Sequence, residues 1–260
     1  MLVRSWNLYH GNTWPAGRRS YLEEMVGLAA GSADVVLLQE VPAWALAHLE
    51  AWSGMRAVAD VAQQPRFGPL PIPAELGRRL TTLAHGLFRS AFAGQGNAIL
   101  FVSGLRPVSR DVLVLNPPAF RREQARELGL DLVARLAWAK ERRVCQVVRV
   151  EREGAEPLVV ANLHATSSPG DRRIPAAELR SAAAWVETFA RTGETVILGG
   201  DFNVSGDDAR LDGWSEPGPG IDHLVVRGAV PGTPTVWADE RRRRDGMLLS
   251  DHAPIEVEIP

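Results

Sequence analysis

Short apolar runs, each bounded by a polar residue or a turn, set the strongest limit on how this chain can fold. They fall at Leu2–Asn7, Val35–Gln39, Ala98–Val102, Val144–Arg149, Leu158–Leu163, Thr195–Leu198, His223–Val226 and Pro254–Ile259. Their length and their Val, Ile and Leu content read as buried strands. Helical patterns lie unevenly between them. Ser20–Ala30 sets Leu22, Met25, Val26 and Ala29 on one face, and Pro42–Ala51 opens on a proline and continues through Trp44, Leu46 and Leu49. Phe120–Ala139 reads as one long helix or two, and Ile174–Thr192 carries Leu179, Ala183, Val186, Phe189 and Ala190. Strands outnumber helices and do not alternate with them. That predicts an α/β (α+β) fold with two mixed sheets packed face to face and helices outside. Gln63–Pro73 and residues 213–220 read as surface excursions with no linker character, so residues 1–260 are expected to form a single domain.

Composition narrows the function. The formal net charge of −2 is too acidic for a protein that holds polyanions by bulk charge, so any phosphate recognition must be local. The single cysteine, Cys145, sits in a strand-like run, which excludes an internal disulfide and a thiolate metal cluster and points to a buried, inert thiol. The first residues lack a long apolar segment and no run approaches the length of a membrane-spanning helix, so a cytoplasmic enzyme with no integral membrane span is expected.

Residues 199–203 read Gly-Gly-Asp-Phe-Asn directly after Val196-Ile197-Leu198. The expectation is a strand that ends in a tight glycine turn, which presents Asp201 and Asn203 together at its C-terminal edge, where open sheets place ligand chemistry. Alone, the pair has a lesser alternative reading as an ordinary Asx-type turn leaving a strand. Other strand ends share its character. Trp6-Asn7-Leu8 and Leu38-Gln39-Glu40 close two strands, Asn162-Leu163-His164 closes a third, Ile221-Asp222 opens a fourth, and Ser250-Asp251-His252-Ala253-Pro254 precedes the last. Each has a structural explanation on its own: Asn7 as a turn cap, Glu40 at a helix N-terminus, His164 as a core histidine, Asp251 as a turn opener. The joint series of Asn, Glu, His, Asp-x-Asn, Asp and Asp-His, always beside a strand, is what calls for a common account.

That series, from Trp6 to Ile255, resembles the endonuclease/exonuclease/phosphatase superfamily of DNase I-like phosphoesterases. Gly-Asp-Phe-Asn with the terminal Ser-Asp-His-x-Pro carries most of the resemblance. It implies a four-layer α/β sandwich with the site at one end of the two sheets, and a reaction that hydrolyses phosphoesters with Mg²⁺ or Mn²⁺. Glu40 resembles the principal metal carboxylate, with Asn7 and Asp251 as its neighbours. His252 resembles the histidine that positions or deprotonates the attacking water, with Asp222 orienting it, and His252 or Asp201 would be the general base. Asp201 and Asn203 would hold nucleophile and phosphate, and His164 would donate to phosphate or leaving group. Asn97, Asn162, Arg241 and Arg242 are candidate substrate contacts, Asn97 also reading as a turn cap and the arginine run as a solvated loop. Asp239 is a second candidate for the place given to Asp222. His223 is read as structural, and His10, His48 and His85 as surface or packing residues. Abasic-site endonucleases of the superfamily usually carry Tyr at His164. The implied partner is therefore a phosphodiester, nucleic acid first, with sphingomyelinase-like and inositol-phosphate phosphatase-like hydrolases and a non-catalytic binding module as alternatives. A sphingomyelinase-like enzyme needs an apolar, membrane-touching loop; Trp14 and Trp214 lie in loops and are candidates for it, with core packing the commoner role of a tryptophan.

Overall fold

The computed structural model describes residues 1–17, 19–67, 70–83, 92–168 and 170–260. The chain comprises two compact units, one of Met1–Arg106 with Pro231–Pro260 and one of Pro107–Val230.

The first unit is built on a six-stranded mixed sheet. Its central strand β1 (Leu2–Asn7) pairs in parallel with β3 (Val35–Val41) and antiparallel with β16 (Ile255–Glu258). Beyond β3 lie β7 (Gln95–Phe101) and the edge strand β4 (Arg56–Gln63), and beyond β16 lies β13 (Thr235–Val236). A small sheet joins β2 (Thr13–Trp14), β14 (Arg243–Arg244) and β15 (Met247–Leu249), and β5 (Arg66–Phe67) pairs with β6 (Leu70–Pro71). Helix α1 (Leu22–Ala30) lays Leu22, Met25, Val26 and Ala29 on Trp6, Val36, Leu38, Ala98 and Leu100. Each large apolar side chain buried in this way stabilises the fold by about 1.5–3 kcal/mol. Val35, Leu37, Ile99 and Phe101, on the other face of the same strands, are equally buried. Burial on both faces explains why these strands read as unbroken apolar runs. The segment Pro42–Ala51 forms a 3₁₀ turn, Ala43–His48, followed by the short helix α2 (Leu49–Ser53).

The second unit carries a five-stranded mixed sheet in the order β12 (Asp222–Arg227), β11 (Thr195–Asp201), β10 (Ala155–His164), β9 (Val144–Arg152), β8 (Leu105–Val114). Helix α6 (Arg173–Phe189) packs Leu179, Ala182, Ala183 and Val186 over Val147, Val159, Ala161, Leu198 and Val225. Phe120–Ala139 resolves into α4 (Pro118–Glu127) and α5 (Leu132–Ala139), with Asp131 capping α5 through the Ala134 N–H at 2.8 Å. Helix α3 (Ala74–Leu83) belongs to the first unit.

β4, β8 and α3 are absent from the sequence reading. Both strands are sheet edges, where only part of the surface needs apolar cover, so Arg56, Asp60, Pro107 and Arg110 interrupt the apolar signal.

The glycine pair also differs from expectation. β11 does not end in a turn at Gly199-Gly200; it runs on to Asp201, still paired with β10 and β12. Gly200 has φ +133°, and a Cβ there would sit 1.9 Å from the Leu163 carbonyl oxygen. The glycine therefore permits close approach of two parallel strands rather than a reversal of the chain. Gly200→Ala should cost about 3 kcal/mol or more through overpacking and backbone strain. Urea denaturation checks this, and a change within about 0.5 kcal/mol, as at an ordinary surface position, would refute the packing argument.

Candidate active site

In the second unit the site is a consequence of register. Leu163 of β10 stands opposite Gly200, which puts His164 directly beside Asp201, and Asp201 stands opposite Asp222 on β12. Residues opposite one another in a ladder project from the same face, so His164, Asp201 and Asp222 form one polar row across three strands. His164 Nε2 lies 3.6 Å from Asp201 Oδ2, and carboxylate oxygens of Asp201 and Asp222 approach within 4.8 Å. Two residues back on the same face, Asn162 is fully buried and stands opposite Gln146 of β9.

The segment after β11 is held by local hydrogen bonds. Asp201 Oδ1 accepts from the Asn203 N–H at 3.0 Å, and Asn203 Nδ2 donates to the Ala165 carbonyl at 3.1 Å. Asn203 adopts φ +53°, a left-handed conformation that Asn tolerates better than most residues. Asp201 and Asn203 thus tie the ends of β10 and β11 together.

Two buried charges here escape the sequence reading. Arg143 is 5% exposed, with Nη1 2.8 Å from His164 Nε2 and Nη2 2.6 Å from Glu141 Oε2. Nη1 also lies 2.9 Å from His164 Nδ1, and because a guanidinium only donates, whichever ring nitrogen is unprotonated accepts from it. Arg143 stands in Glu141-Arg142-Arg143, a charged run that looks like a solvated loop, and nothing in the sequence marks it. Glu178 of α6 is fully buried. It accepts from Trp138 Nε1 at 2.6 Å, from the Thr166 N–H at 2.6 Å and from Thr166 Oγ1 at 2.7 Å. Burial pushes its carboxyl above the usual range, against these donors and Arg143. Through Thr166, Glu178 fixes the segment that follows His164.

His223 is structural, as expected. It is buried against Phe202, with Nε2 2.8 Å from the Val204 carbonyl, and burial lowers its pKa. Burial also pushes the Cys145 thiol upward, consistent with an inert cysteine.

In the first unit β1 and β3 pair in parallel with Asn7 opposite Gln39, and Asn97 of β7 stands opposite Asp60 of β4. Asn7, Gln39 and Asn97 share the face turned away from α1, and all three are buried. Asn97 therefore lies within a strand and does not cap a turn before it. Asn7 Oδ1 accepts from the Tyr9 N–H at 3.0 Å. Glu40 sits where the β3–β7 register shifts between Leu38 and Val41, with φ +52°. Such a bulge re-aims a side chain that strict alternation would send to the other face. Glu40 Oε2 lies 3.5 Å from Nε2 of His10, which is buried and is not the unattached surface or packing residue expected. Only its position three residues past Asn7 could have signalled this. His48 does pack, stacked on Trp52, and His85 lies outside the described residues.

The Ser250–His252 turn is anchored to β1. Ser250 Oγ donates to the Asn7 carbonyl at 2.7 Å and accepts from the His252 N–H at 3.0 Å, and Trp6 Nε1 donates to the His252 carbonyl at 2.9 Å. Asp251 is exposed at the tip. The sequence places Arg241 and Arg242 on substrate, but both have other work. Arg242 is buried and donates to the carbonyls of Leu249 and Ser250 and to Asp239 Oδ1. Arg241 lies 3.8 Å above the Trp237 ring and pairs with Glu256 at 3.3 Å. Arg242 braces the turn that bears Asp251. Trp14 is 54% exposed, whereas Trp214 donates to Glu187 at 2.8 Å and packs on the core.

A sequence model described as the endonuclease/exonuclease/phosphatase family matches residues 5–252. The chain belongs to that family. Solved structures of the same fold include a functionally unknown conserved protein from Enterococcus faecalis V583, at 15% identity and TM-score 0.68, covering 100% of this chain and 99% of that one. Truncated TDP2 from Caenorhabditis elegans matches at 17% identity and TM-score 0.63, covering 99% and 96%. A mannosyl-6-phosphatase from Bacteroides thetaiotaomicron matches at 14% identity and TM-score 0.61, covering 100% and 99%. Among curated proteins, none matches the sequence. Membership of the family accounts for mixed sheets flanked by helices and supports phosphoester hydrolysis as the activity. Among the described residues, no helix is long and apolar enough to cross a membrane.

The buried Glu178 cluster holds the segment that follows His164. Its two oxygens meet only donors, so in Glu178→Gln an amide N–H must face another N–H or displace Thr166. A loss of about 1–3 kcal/mol in equilibrium unfolding is expected; unchanged stability would contradict this geometry. Because the His223 pKa is depressed on folding, its contribution is complete above the unfolded value of about 6.5 and declines as pH falls below it toward the folded pKa. His223→Asn should flatten that part of the stability–pH curve, and a curve of unchanged slope would remove His223 as its source.

Proposed function

We propose that residues 1–260 act as one divalent-metal-dependent phosphodiesterase, with nucleic acid as the first substrate class. The observation that carries this reading is the row His164–Asp201–Asp222, fixed by strand register at the ends of three strands. A buried carboxylate, Asp201, set beside the half-buried Asp222 at the strand ends is costly unless a cation, a proton or a substrate compensates the pair.

The family is generally divalent-metal dependent, and the donors here suit a hard cation. Glu40, Asn7 and Asp251 offer only oxygen, and the chain's one thiol is buried. Mg²⁺ or Mn²⁺ held there would polarise a phosphoryl oxygen. Asp201 and Asn203 position the water and the phosphate, and His252 takes the water proton, with Asp201 as the alternative base. The water oxygen bonds to phosphorus as the opposite P–O bond breaks. Asp222 orients the histidine base. His164 hydrogen-bonds the phosphate, and Arg143 supplies a fixed positive charge behind it. Asn97 and Asn162 are retained as polar contacts near the substrate. The exposed indole of Trp14 favours a second substrate class, a phospholipid phosphodiester, because an exposed tryptophan suits a membrane interface.

Hydrolysis of bis(p-nitrophenyl) phosphate tests the proposal. Activity should require Mg²⁺ or Mn²⁺, disappear with EDTA, and fall by about 10²- to 10⁴-fold in His252→Ala and in Asp201→Asn. Rates indifferent to metal, chelator and both substitutions would refute it.

A further inference from the structure

The helices α4 and α5 of the second unit frame a groove of about 400 Å³ unrelated to the polar row at the strand ends. Arg121, Arg122, Arg126 and Arg135 line it, with Trp138 and Ala139 at its base and edge. Helical spacing explains the cluster. Arg122 and Arg126 are one turn apart on α4 and flank Ala125, which faces the groove, while Glu123 and Glu127 project from the opposite side. Within the unit, Arg121 donates to the Asn116 carbonyl and Arg135 to the Leu130 carbonyl, and none of the four arginines pairs with a carboxylate among the described residues. Clustered cations without counter-ions on one face are a surface arranged for anions.

The same face is apolar along one side. Leu132, Val133 and Leu136 of α5 are 69%, 75% and 64% exposed. Leu132, Leu136 and Ala139 recur at i, i+4 and i+7, so the aliphatic stripe runs directly into the groove wall that Ala139 and Arg135 form. Trp138 turns the other way, buried with Phe120 and Ile174. A short helix that spends its aliphatic residues on solvent beside uncompensated arginines matches an interface with phosphates at one level and hydrocarbon below.

We propose that the α4–α5 face docks on an anionic phospholipid surface, the arginines on lipid phosphates and Leu132, Val133 and Leu136 among the acyl chains. Nucleic acid would satisfy the arginines but leave the aliphatic stripe uncovered. A second copy of the chain would cover the stripe but bring the same four arginines against themselves across a two-fold interface. The inference concerns where the protein acts and holds whichever phosphodiester it cleaves.

Vesicle co-sedimentation of the full chain tests it. The protein should pellet with vesicles of phosphatidylcholine and phosphatidylserine and stay in solution with phosphatidylcholine alone. Arg122→Gln with Arg126→Gln should weaken partition by about fivefold per charge. Leu132→Ser with Leu136→Ser should weaken it at least as much at unchanged salt dependence. Both variants should keep the parent's thermal midpoint and its rate on bis(p-nitrophenyl) phosphate, because these side chains are exposed and lie outside the proposed catalytic set. Failure to pellet with anionic vesicles, or pelleting insensitive to both variants, would overturn the proposal. So would light scattering that shows a dimer abolished by Leu132→Ser with Leu136→Ser, or arginine-dependent binding to duplex DNA in place of vesicles.

Discussion

The parallel pairing of β10 with β11 is the constraint on which the polar row of the second unit depends. A one-residue slip between them would send His164 and Asp201 to opposite faces, while the β11–β12 ladder sets Asp222 opposite Asp201 by its own register. That register is held by packing rather than by the site itself. Val159, Ala161, Val196 and Leu198 lock the two strands beneath α6, and Gly200 lets the backbones approach at the one point where a side chain would strike Leu163. The polar groups of the row are thus presented at the ends of rigid strands whose positions are fixed by apolar contacts below them.

The first unit uses the same device with a different irregularity. β1 and β3 run in parallel and end together at Asn7 and Gln39, and the residue that must project differently, Glu40, sits at a shift in the ladder with a left-handed backbone. A non-glycine residue in that conformation costs on the order of 1–3 kcal/mol and persists only where surrounding packing enforces it. Here that packing comes from α1 and the buried 3₁₀ turn around His10. In both units the strained residues stand beside the groups given a chemical role.

Much of this was legible in the sequence because burial on both faces leaves a strong trace. The strands that carry Asn7, Glu40, His164 and Asp201 are continuous apolar runs, and their polar ends stand out against them. Edge strands β4 and β8 left no such trace, since half their surface is polar. The Gly199-Gly200 pair was visible, but its meaning was not: a glycine needed for strand contact and one needed for a turn look alike in sequence. Arg143, Glu178 and His10 were missed for another reason. Their roles depend on partners 12 to 40 residues away in sequence, and buried charges of this kind are identical in composition to solvated ones. Arg242 fails in the opposite sense, since a run of four arginines looks like a free basic patch and one of them is a buried strut.

Glu40 is the carboxylate proposed to hold the metal. Titration of the apoprotein with Mn²⁺, followed by loss of the free-ion paramagnetic resonance signal, tests this without reference to turnover. Saturable binding is predicted, weakened by about tenfold or more in Glu40→Gln and unaltered in Arg122→Gln with Arg126→Gln. Equal Mn²⁺ affinity in the parent and in Glu40→Gln would contradict the account.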